Sequence, residues 1–226
     1  IAEAGVNHNG KISLAKKLIS AAAKAGANYI KFQTYKTENI IVQGSKLANY
    51  QKKNIKKFKT QFEMLKKYEL NRSDYKSLIS YAKSKRIKFL SSPFDIESLF
   101  FLNKFDLDYI KIPSGEIDNL PYLKELGKFD KKIILSTGIS DLKEVEVAIK
   151  TLNKYGTNKK NIAILHCHSA YPSNLSDLNL KVIGTLKKKF NLKVGFSDHS
   201  NNIYVPAIAV ALGAQIIEKH LTLSNK

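Results

Sequence analysis

The sequence predicts a single (β/α)8 TIM barrel, an α/β fold, from its length, the order of its elements and the placement of its polar residues. A chain of 226 residues exceeds an ordinary domain of about 150 residues and suits one α/β barrel of about 200–250. Short apolar or β-branched runs alternate with helical patterns, as in consecutive βα units. Each run becomes polar only near its C-terminal end, which is typical of parallel strands buried on both faces.

Eight of these runs are predicted as strands. They cover residues 1–5, 28–34, 87–93, 108–114, 132–137, 161–168, 193–198 and 214–220. Eight strands in strict alternation with helices favour a closed barrel over an open sheet.

Terminal signals predict where two of the helices begin and end. The helix over residues 13–25 stops before Gly26, a residue that favours helix C-termini. Asp141 and Glu144 form a capping box at the start of a helix over residues 142–154. These signals place the helices between the predicted strands.

The longest connection spans residues 35–71 and carries a predicted helix around residues 60–69. It also contains the one dense lysine cluster, KKNIKKFK at residues 52–59. Connections of this size on an α/β scaffold usually serve as lids or binding loops.

No linker or low-complexity stretch interrupts the chain, so residues 1–226 are interpreted as one catalytic domain. The chain stops six residues after His220, before an eighth outer helix. We therefore expect a barrel that lacks its last helix and is a fragment of a longer protein.

The net charge of +19 suggests a nucleic-acid partner, because 38 residues are basic and 19 are acidic. However, 36 of the basic residues are lysines spread along the chain, and only two are arginines, the side chain that reads bases and phosphates best. We predict a solvated lysine-rich surface and no nucleic-acid partner.

No apolar stretch approaches the roughly 18 residues of a membrane span, so no membrane association is expected. A single cysteine, Cys167, fits a reducing cytoplasm.

Barrel enzymes carry their active sites at the C-terminal ends of the strands. All five histidines fall at or just past such an end: His8, His166, His168, His199 and His220. His199 and His220 close neighbouring strands, so they could converge on one divalent ion, for which imidazole suits Mn, Fe, Co or Zn. Alternatively, one or both hydrogen-bond a substrate.

Charged residues also lie at this rim. Glu3, Glu116 and Glu218 fall on or after strands, where a buried carboxylate needs a partner or a catalytic role. Lys31 and Lys111 lie inside apolar strand sequences. Each lysine either pairs with an acid, binds a substrate anion or forms a Schiff base.

Five strand ends carry a serine: Ser92, Ser114, Ser136, Ser169 and Ser197. Together with two lysines they form a cup of donors suited to phosphate and carboxylate oxygens. Neither a P-loop nor a dinucleotide-binding motif is present, which argues against nucleotide-driven chemistry. The residues alone predict a barrel enzyme for a small phosphorylated or carboxylated substrate, with a divalent metal.

The strings that carry these residues occur in a familiar order. They read IAEAGVNHNG, KFQTYK, SSPFD, KIPSGE, LSTG, HCHSAYPS, GFSDHS and EKHLT. In this order they resemble the sialic acid synthase family, whose members condense phosphoenolpyruvate with an N-acetylated amino sugar. The match runs from Ile1 to about Thr222, and the segment containing QFEMLKKYEL resembles the N-acetylneuraminate and legionaminate branch more than the pseudaminate branch.

The resemblance implies roles for individual residues. His199 and His220 match the ligands of the family's metal, most often Mn, with Mg or Co as alternatives. Glu3 and Glu218 match acidic residues near the reacting centre, and Lys111 is assigned a catalytic role together with them. The phosphoenolpyruvate side is matched by Lys31, Ser92, Lys111, Ser114, Ser136 and Ser197, and the sugar side by Gln33, Glu116 and Tyr171. Ser169, also assigned to phosphoenolpyruvate, stands where the family commonly has Asn, and His168 replaces a small hydroxyl residue.

The resemblance further implies a cytoplasmic homodimer. In the family, a C-terminal antifreeze-like domain reaches into the partner's active site, and that domain is absent from this chain. An enzyme alternative is another TIM-barrel aldolase or deoxy-sugar-acid synthase, with a Schiff base on Lys111 or Lys31. A distant alternative is a basic nucleic-acid-binding protein.

Overall fold

Eight apolar runs of the sequence form one parallel sheet in the computed structural model, which describes residues 1–47 and 58–224. The strands are β1 Ala2–Gly5, β2 Tyr29–Thr34, β3 Lys88–Pro93, β4 Tyr109–Ile112, β5 Lys132–Ser136, β6 Ile162–Cys167, β7 Lys193–Asp198 and β8 Ile217–His220. All eight predicted strands are confirmed, with ends that differ by up to three residues. Residues 52–57 of the predicted lysine cluster lie outside the described residues.

The strands follow the order β3-β2-β1-β8-β7-β6-β5-β4, and every ladder in this order is parallel. The first and last members, β3 and β4, lie against each other, so the sheet forms a nearly closed barrel. The predicted TIM-barrel fold is confirmed. The assignment of the chain to one catalytic domain stays a prediction.

Helices cover the outside of the barrel. Those described are α1 Ile12–Lys24, α2 Thr37–Ile40, α3 Gln61–Tyr68, α4 Asp74–Ser84, α5 Ile96–Asn103, α6 Leu120–Gly127, α7 Leu142–Lys154, α8 Val182–Phe190 and α9 Val205–Ala211. Two apolar clusters fill the space between these helices and the outward faces of the strands. Within the described parts of the chain, none of the helices has both the length and the apolar character of a membrane span.

The structure contains the predicted capping box at the start of α7 and the predicted glycine after α1. The Asp141 carboxylate accepts from the N–H groups of Lys143 and Glu144, and the Glu144 carboxylate accepts from the Asp141 N–H at 2.7 Å. Gly26 follows α1 with a φ of +76°, a conformation that favours glycine. Both helix ends are therefore determined by local sequence.

The interior of the barrel is layered along its axis. Its lower layer is apolar and consists of Leu90, Ile134, Ala163 and Leu165. Gly195 allows β7 and β8 to approach closely here, because a Cβ at this position would overlap the carbonyl oxygen of Ile216. Above this layer the inward-facing residues become polar and charged, so the polar part of the interior lies at the C-terminal end of the barrel.

Candidate active site

A cavity of about 1060 Å³ opens at the C-terminal ends of the strands. All fourteen predicted site residues line it: Glu3, Lys31, Gln33, Ser92, Lys111, Ser114, Glu116, Ser136, Ser169, Tyr171, Ser197, His199, Glu218 and His220. The structure thus brings the predicted anion cup, the predicted histidine pair and the predicted sugar side into one space.

Strand pleating explains this convergence. Side chains two residues apart point to the same face, so Lys31 and Gln33 of β2 both face the cavity. Phe32 lies between them and packs into the outer apolar cluster. On β8, Glu218 and His220 face the cavity for the same reason.

Four buried charges form the floor of the cavity. Glu3, Lys31, Lys111 and Glu218 are each between 2% and 6% exposed. The Lys31 Nζ lies 2.6 Å from the Glu3 Oε2 and 3.7 Å from the Glu218 Oε1. The Lys111 Nζ lies 4.0 Å from the same Glu218 oxygen. Two carboxylates therefore alternate with two ammonium groups, which is the arrangement that buried charges require.

The two carboxylates differ in acidity. Burial alone would raise the pKa of Glu218, but the ammonium groups of Lys111 and Lys31 outweigh it and hold that pKa below its usual value. Burial raises the pKa of Glu3, and the neighbouring Glu218 adds to this effect against the opposing charge of Lys31. Glu218 is thus the stronger acid and Glu3 the better proton carrier.

The two lysines are also perturbed in opposite directions. Burial would lower the pKa of Lys31, but the carboxylates of Glu218 and Glu3 outweigh it, and the pKa is raised. Burial lowers the pKa of Lys111, and the charge of Lys31 lowers it further against the attraction of Glu218. Lys31 is therefore locked in ion pairs, whereas Lys111 is the more loosely paired cation.

Serine hydroxyl groups surround these ammonium groups. The Lys31 Nζ donates to the Ser92 Oγ at 3.3 Å, and the Lys111 Nζ donates to the Ser136 Oγ at 2.6 Å. Ser197 donates to the Glu218 Oε1 at 3.0 Å. The cup therefore holds its donors in place before any ligand arrives.

Ser114 belongs to a tightly packed part of the rim. Its Oγ accepts from the Gly138 N–H at 3.0 Å and lies 3.2 Å from the Cys167 Sγ. A Cβ at Gly138 would lie only 2.6 Å from the Ser169 Oγ and 2.9 Å from the Ser114 Oγ. A side chain at position 138 would therefore displace both serine hydroxyl groups.

His199 and His220 face each other across the mouth, with ring centroids 5.9 Å apart. The His199 Nδ1 lies 2.6 Å from the His168 carbonyl oxygen, so this nitrogen carries the proton and Nε2 keeps its lone pair. The hydroxyl groups of Tyr171 and Ser197 each lie 3.2 Å from that Nε2. Burial lowers the pKa of both histidines to about 4, so both are neutral at pH 7.

This donor set fits a divalent transition metal. Two neutral imidazoles are suitable ligands, and the carbonyl behind His199 is the usual outer partner of a metal-binding histidine. The buried Glu218 Oε2 has no hydrogen-bond partner among the described residues. No group of three or more His, Cys, Asp or Glu side chains suited to a metal occurs in the described part of the chain. Two protein ligands would leave other coordination positions for substrate and water.

The other three histidines do not line the cavity. His166 follows the inward-facing Leu165, so its ring points outward, packs against Phe196 and places its Nε2 2.7 Å from the Leu178 carbonyl oxygen. The His168 Nδ1 lies 3.1 Å from the Ser173 Oγ. His8 is buried, and its Nδ1 accepts from the Gly10 N–H at 3.1 Å. A position at a strand end was therefore not sufficient to predict a place in the site.

Sequence reasoning missed Cys167 as a cavity residue. It lines the cavity beside Ser114, although it was used only to infer a redox environment. Ala163, Leu165 and Cys167 occupy alternate positions of β6, and this alternation was the signal that could have found it.

Sequence reasoning also missed an apolar wall. It consists of Ile40, Ile41, Met64 and Leu65, which belong to or adjoin α2 and α3, together with Ile139. The long connection was predicted as a lid or binding loop, and its helices do line the cavity. Which of its residues face inward depends on how it folds over the barrel, which local patterns do not reveal.

Comparison with known proteins identifies the chain at the family level. The sequence model described as the NeuB family matches residues 18–226. The chain belongs to the NeuB family. The predicted resemblance to sialic acid synthases is thereby confirmed.

Two relatives of this NeuB-family chain are named N,N'-diacetyllegionaminic acid synthase. The protein from Campylobacter jejuni is 51% identical over all of this chain and 67% of its own length. The protein from Legionella pneumophila is 46% identical over all of this chain and 64% of its own length. The NeuB-family chain thus spans about two thirds of the length of these relatives.

A solved structure of a NeuB-family relative agrees with the fold. It is the N-acetylneuraminic acid (sialic acid) synthetase from Leptospira borgpetersenii, crystallised with citrate. Its TM-score is 0.86 at 36% identity, over 99% of this chain and 72% of that one.

Proposed function

We propose that the whole protein condenses phosphoenolpyruvate with an N-acetylated amino sugar and water, giving a nonulosonic acid of the sialic type and phosphate. The single observation that carries the proposal is the joining of an anion cup and a pair of neutral histidines in one cavity. The first suits the phosphate and carboxylate of phosphoenolpyruvate, and the second suits a metal that activates an aldehyde.

In this proposal Lys111 and Lys31, with Ser92, Ser114 and Ser136, hold the anionic groups of phosphoenolpyruvate. Lys111 is the principal cation, because Lys31 already lies 2.6 Å from Glu3. Ser169 and Ser197 complete the cup at the rim, and Gln33, Glu116 and Tyr171 contact the sugar. Fixed donors of this kind stabilise developing charge without reorganisation.

His199 and His220 would hold a divalent metal, with Mn²⁺ as the first candidate and Mg²⁺ or Co²⁺ as alternatives. When bound, the metal would supply Lewis-acid polarisation of the sugar aldehyde. The protein's own contribution is to keep both imidazoles neutral and to fix the His199 ring through the His168 carbonyl.

The proposed reaction forms one C–C bond and breaks the C–O bond to phosphate. The methylene carbon of phosphoenolpyruvate bonds to the aldehyde carbon of the open-chain sugar, and the aldehyde oxygen gains a proton. Water adds to the former enol C2 and loses one proton. The C2–O bond to phosphate then breaks while the new C2 hydroxyl group gives its proton to the leaving phosphate, and the products are the keto acid and hydrogen phosphate. Glu3, whose pKa is raised by burial, is suited to take up and return these protons. Glu218 keeps its charge and orients Lys111 and Ser197.

We further infer that the sugar carries a second acetamido group at C4 and a deoxygenated C6. The apolar wall of Ile40, Ile41, Met64 and Leu65 suits methyl groups better than hydroxyl groups. Two relatives bear the name N,N'-diacetyllegionaminic acid synthase, which also indicates two acetyl groups. N-acetylmannosamine is the alternative acceptor.

Phosphate release by the whole protein tests the proposal. The assay combines phosphoenolpyruvate with the 4-acetamido-6-deoxy sugar or N-acetylmannosamine, with and without Mn²⁺. Release is expected to need both sugar and metal and to be faster with the diacetamido sugar. Lys111→Met is expected to reduce kcat/KM for phosphoenolpyruvate about 100-fold or more. Lys132→Met, at the exposed lysine that begins the neighbouring strand β5, is the matched control and keeps its activity.

The lowered pKa of Lys111 also favours the aldolase alternative, because a neutral amine forms Schiff bases. Borohydride with a keto acid distinguishes the two. A covalent adduct at Lys111 or Lys31, or phosphate release that needs neither sugar nor metal, contradicts the synthase proposal.

A cytoplasmic location, a homodimer and the lack of a nucleic-acid partner are part of the same proposal. They are supported by the family resemblance, by the single cysteine and by the scarcity of arginine. Light scattering tests the dimer. Titration with labelled DNA and RNA tests the absence of a nucleic-acid partner, which a steep salt-dependent affinity would contradict.

A further inference from the structure

The ends of β7 and β8 carry two adjacent cross-strand pairs on opposite faces of the sheet. Ser197 pairs with Glu218 on the cavity face, where the two side chains are hydrogen-bonded. The next pair, Asp198 and Lys219, lies on the outer face. Neither Asp198 nor Lys219 lines the cavity. Their contacts are therefore not part of the substrate cup.

Lys219 makes three contacts to the loop that carries His199. Its Nζ donates to the Asp198 Oδ2 at 2.5 Å, to the Ser200 carbonyl at 2.9 Å and to the Asn202 carbonyl at 3.4 Å. The Asp198 Oδ1 accepts from the Ser200 N–H at 2.8 Å. The Lys219 ammonium group thus bonds to the side chain of the residue before His199 and to two backbone carbonyl groups after it.

The two predicted metal ligands are joined by this arrangement. His199 directly follows Asp198 in the chain, and His220 directly follows Lys219. The contact between Asp198 and Lys219 therefore adds a side-chain link, on the outer face, between the two residues that precede the histidines, while the His168 carbonyl oxygen accepts from the His199 ring. Asp198 is only 1% exposed, so its charge needs this cation.

We propose that Lys219 is a positioning residue, which acts through Asp198 and the 198–202 loop to hold His199 and His220 at metal-binding separation. The inference rests on the proposed function, because it takes the two histidines as the metal ligands. Lys219 touches neither substrate nor metal in this role. Outer groups that orient metal ligands typically contribute 10- to 100-fold to metal affinity.

Mn²⁺ affinity measured by electron paramagnetic resonance, without substrates, tests the role. Lys219→Met is expected to weaken Mn²⁺ binding 10- to 100-fold, and Lys219→Arg to restore it to within about threefold of the wild type. Phosphoenolpyruvate affinity, measured by calorimetry without metal, is expected to change less than twofold. A general loss of structure would instead weaken both.

A second ion pair of the same length provides the matched control. Lys88 lies 2.5 Å from Asp108 at the opposite end of the barrel, so Lys88→Met should leave Mn²⁺ affinity unchanged. Asp198→Asn keeps the side-chain shape and is the second test variant, which covers the case that Lys219→Met does not fold. It is expected to weaken Mn²⁺ binding in the same range.

The outcomes separate the two proposals. Wild-type affinity in both folded Lys219→Met and Asp198→Asn would overturn the positioning role and leave the synthase proposal standing. Weakened Mn²⁺ binding in these variants, without any sugar-dependent phosphate release by the wild type, would support the positioning role and contradict the synthase proposal. A wild-type protein that binds no Mn²⁺ would overturn the positioning role.

Discussion

His8 illustrates how one buried residue links stability to pH. Burial lowers its pKa to about 4, against an ordinary value of 6.5. Its Nδ1 accepts from the Gly10 N–H, and its ring packs against Phe32. The imidazole is therefore held in the neutral form, and the folded state resists its protonation.

The sign of the pH dependence follows from these values. The unfolded chain takes up a proton near pH 6.5, whereas the folded chain does so only near pH 4. Stability from His8 is thus complete above pH 6.5 and is lost as the pH falls toward 4. The loss attributable to His8 is about 2 kcal/mol between pH 7.5 and pH 5.

Urea unfolding at pH 7.5 and pH 5 measures this effect. His8→Asn, whose side-chain oxygen can accept from the Gly10 N–H, is expected to be less stable at pH 7.5 but to show a shallower fall. The other buried histidines contribute equally to both proteins, so the difference isolates His8. Parallel profiles for the two proteins would contradict the assignment.

Ile139 illustrates backbone strain at the rim of the cavity. Its φ is +55°, which is unfavourable for a β-branched residue, and its side chain is 80% exposed. Little apolar burial compensates for the conformation. Strained residues concentrate at functional sites, and Ile139 belongs to the apolar wall.

Ile139→Asn is expected to raise the free energy of unfolding by about 1 kcal/mol, because Asn tolerates this conformation. Chemical denaturation provides the measurement. Ile203, which is 76% exposed and not among the residues with positive φ, supplies the control, and Ile203→Asn should not stabilise the protein. Equal effects at both positions would attribute any gain to lost surface hydrophobicity instead of strain.

Local sequence determines helix ends more directly than it determines contacts. The capping box at α7 was predictable because its hydrogen bonds join residues only three positions apart. Asp141→Ala is expected to lower the free energy of unfolding by about 1 kcal/mol, since two N–H groups lose their acceptor. Lys143→Ala, at an exposed position of the same turn, is the control. An unchanged midpoint in urea would contradict the capping role.

Strands are predictable for a similar reason, but the direction of a side chain depends on strand phase. His166 was grouped with the other histidines because it lies near a strand end, yet β6 turns it outward against Phe196. Cys167, one position later, faces the cavity. An alternation count along β6 separates the two residues, whereas residue type alone does not.

The apolar wall could not be predicted at the scale of elements. Ile40 and Leu65 lie far apart along the chain and belong to two short helices that meet over the barrel. The strand-end residues could be predicted because the barrel itself places every C-terminal end at one rim. The contacts of a long connection have no such constraint.

At the scale of the whole molecule, charge has two separate consequences. The net charge of +19 is distributed over the surface and destabilises the folded state by repulsion, which added salt screens. The two buried ammonium groups are partly balanced by carboxylates: Lys31 pairs with Glu3 at 2.6 Å, whereas Lys111 lies 4.0 Å from Glu218 and donates to the Ser136 hydroxyl group. Lys111 is therefore the cation that an anion in the cup would contact. Screening should not depend on the identity of the anion, whereas binding in the cup should.

Thermal unfolding in chloride and in phosphate at equal ionic strength separates these consequences. Both salts are expected to raise the Tm, and phosphate is expected to raise it further by occupying the cup.

Phosphate also stabilises many proteins by exclusion from their surfaces, so the comparison needs a variant with an altered cup and an unchanged surface. Lys111→Met provides it, because Lys111 is buried and its loss leaves the surface charge in place. The additional gain in phosphate should disappear in this variant while the gain in chloride remains. If the additional gain persists in Lys111→Met, phosphate acts on the surface and the buried lysines do not form an anion site.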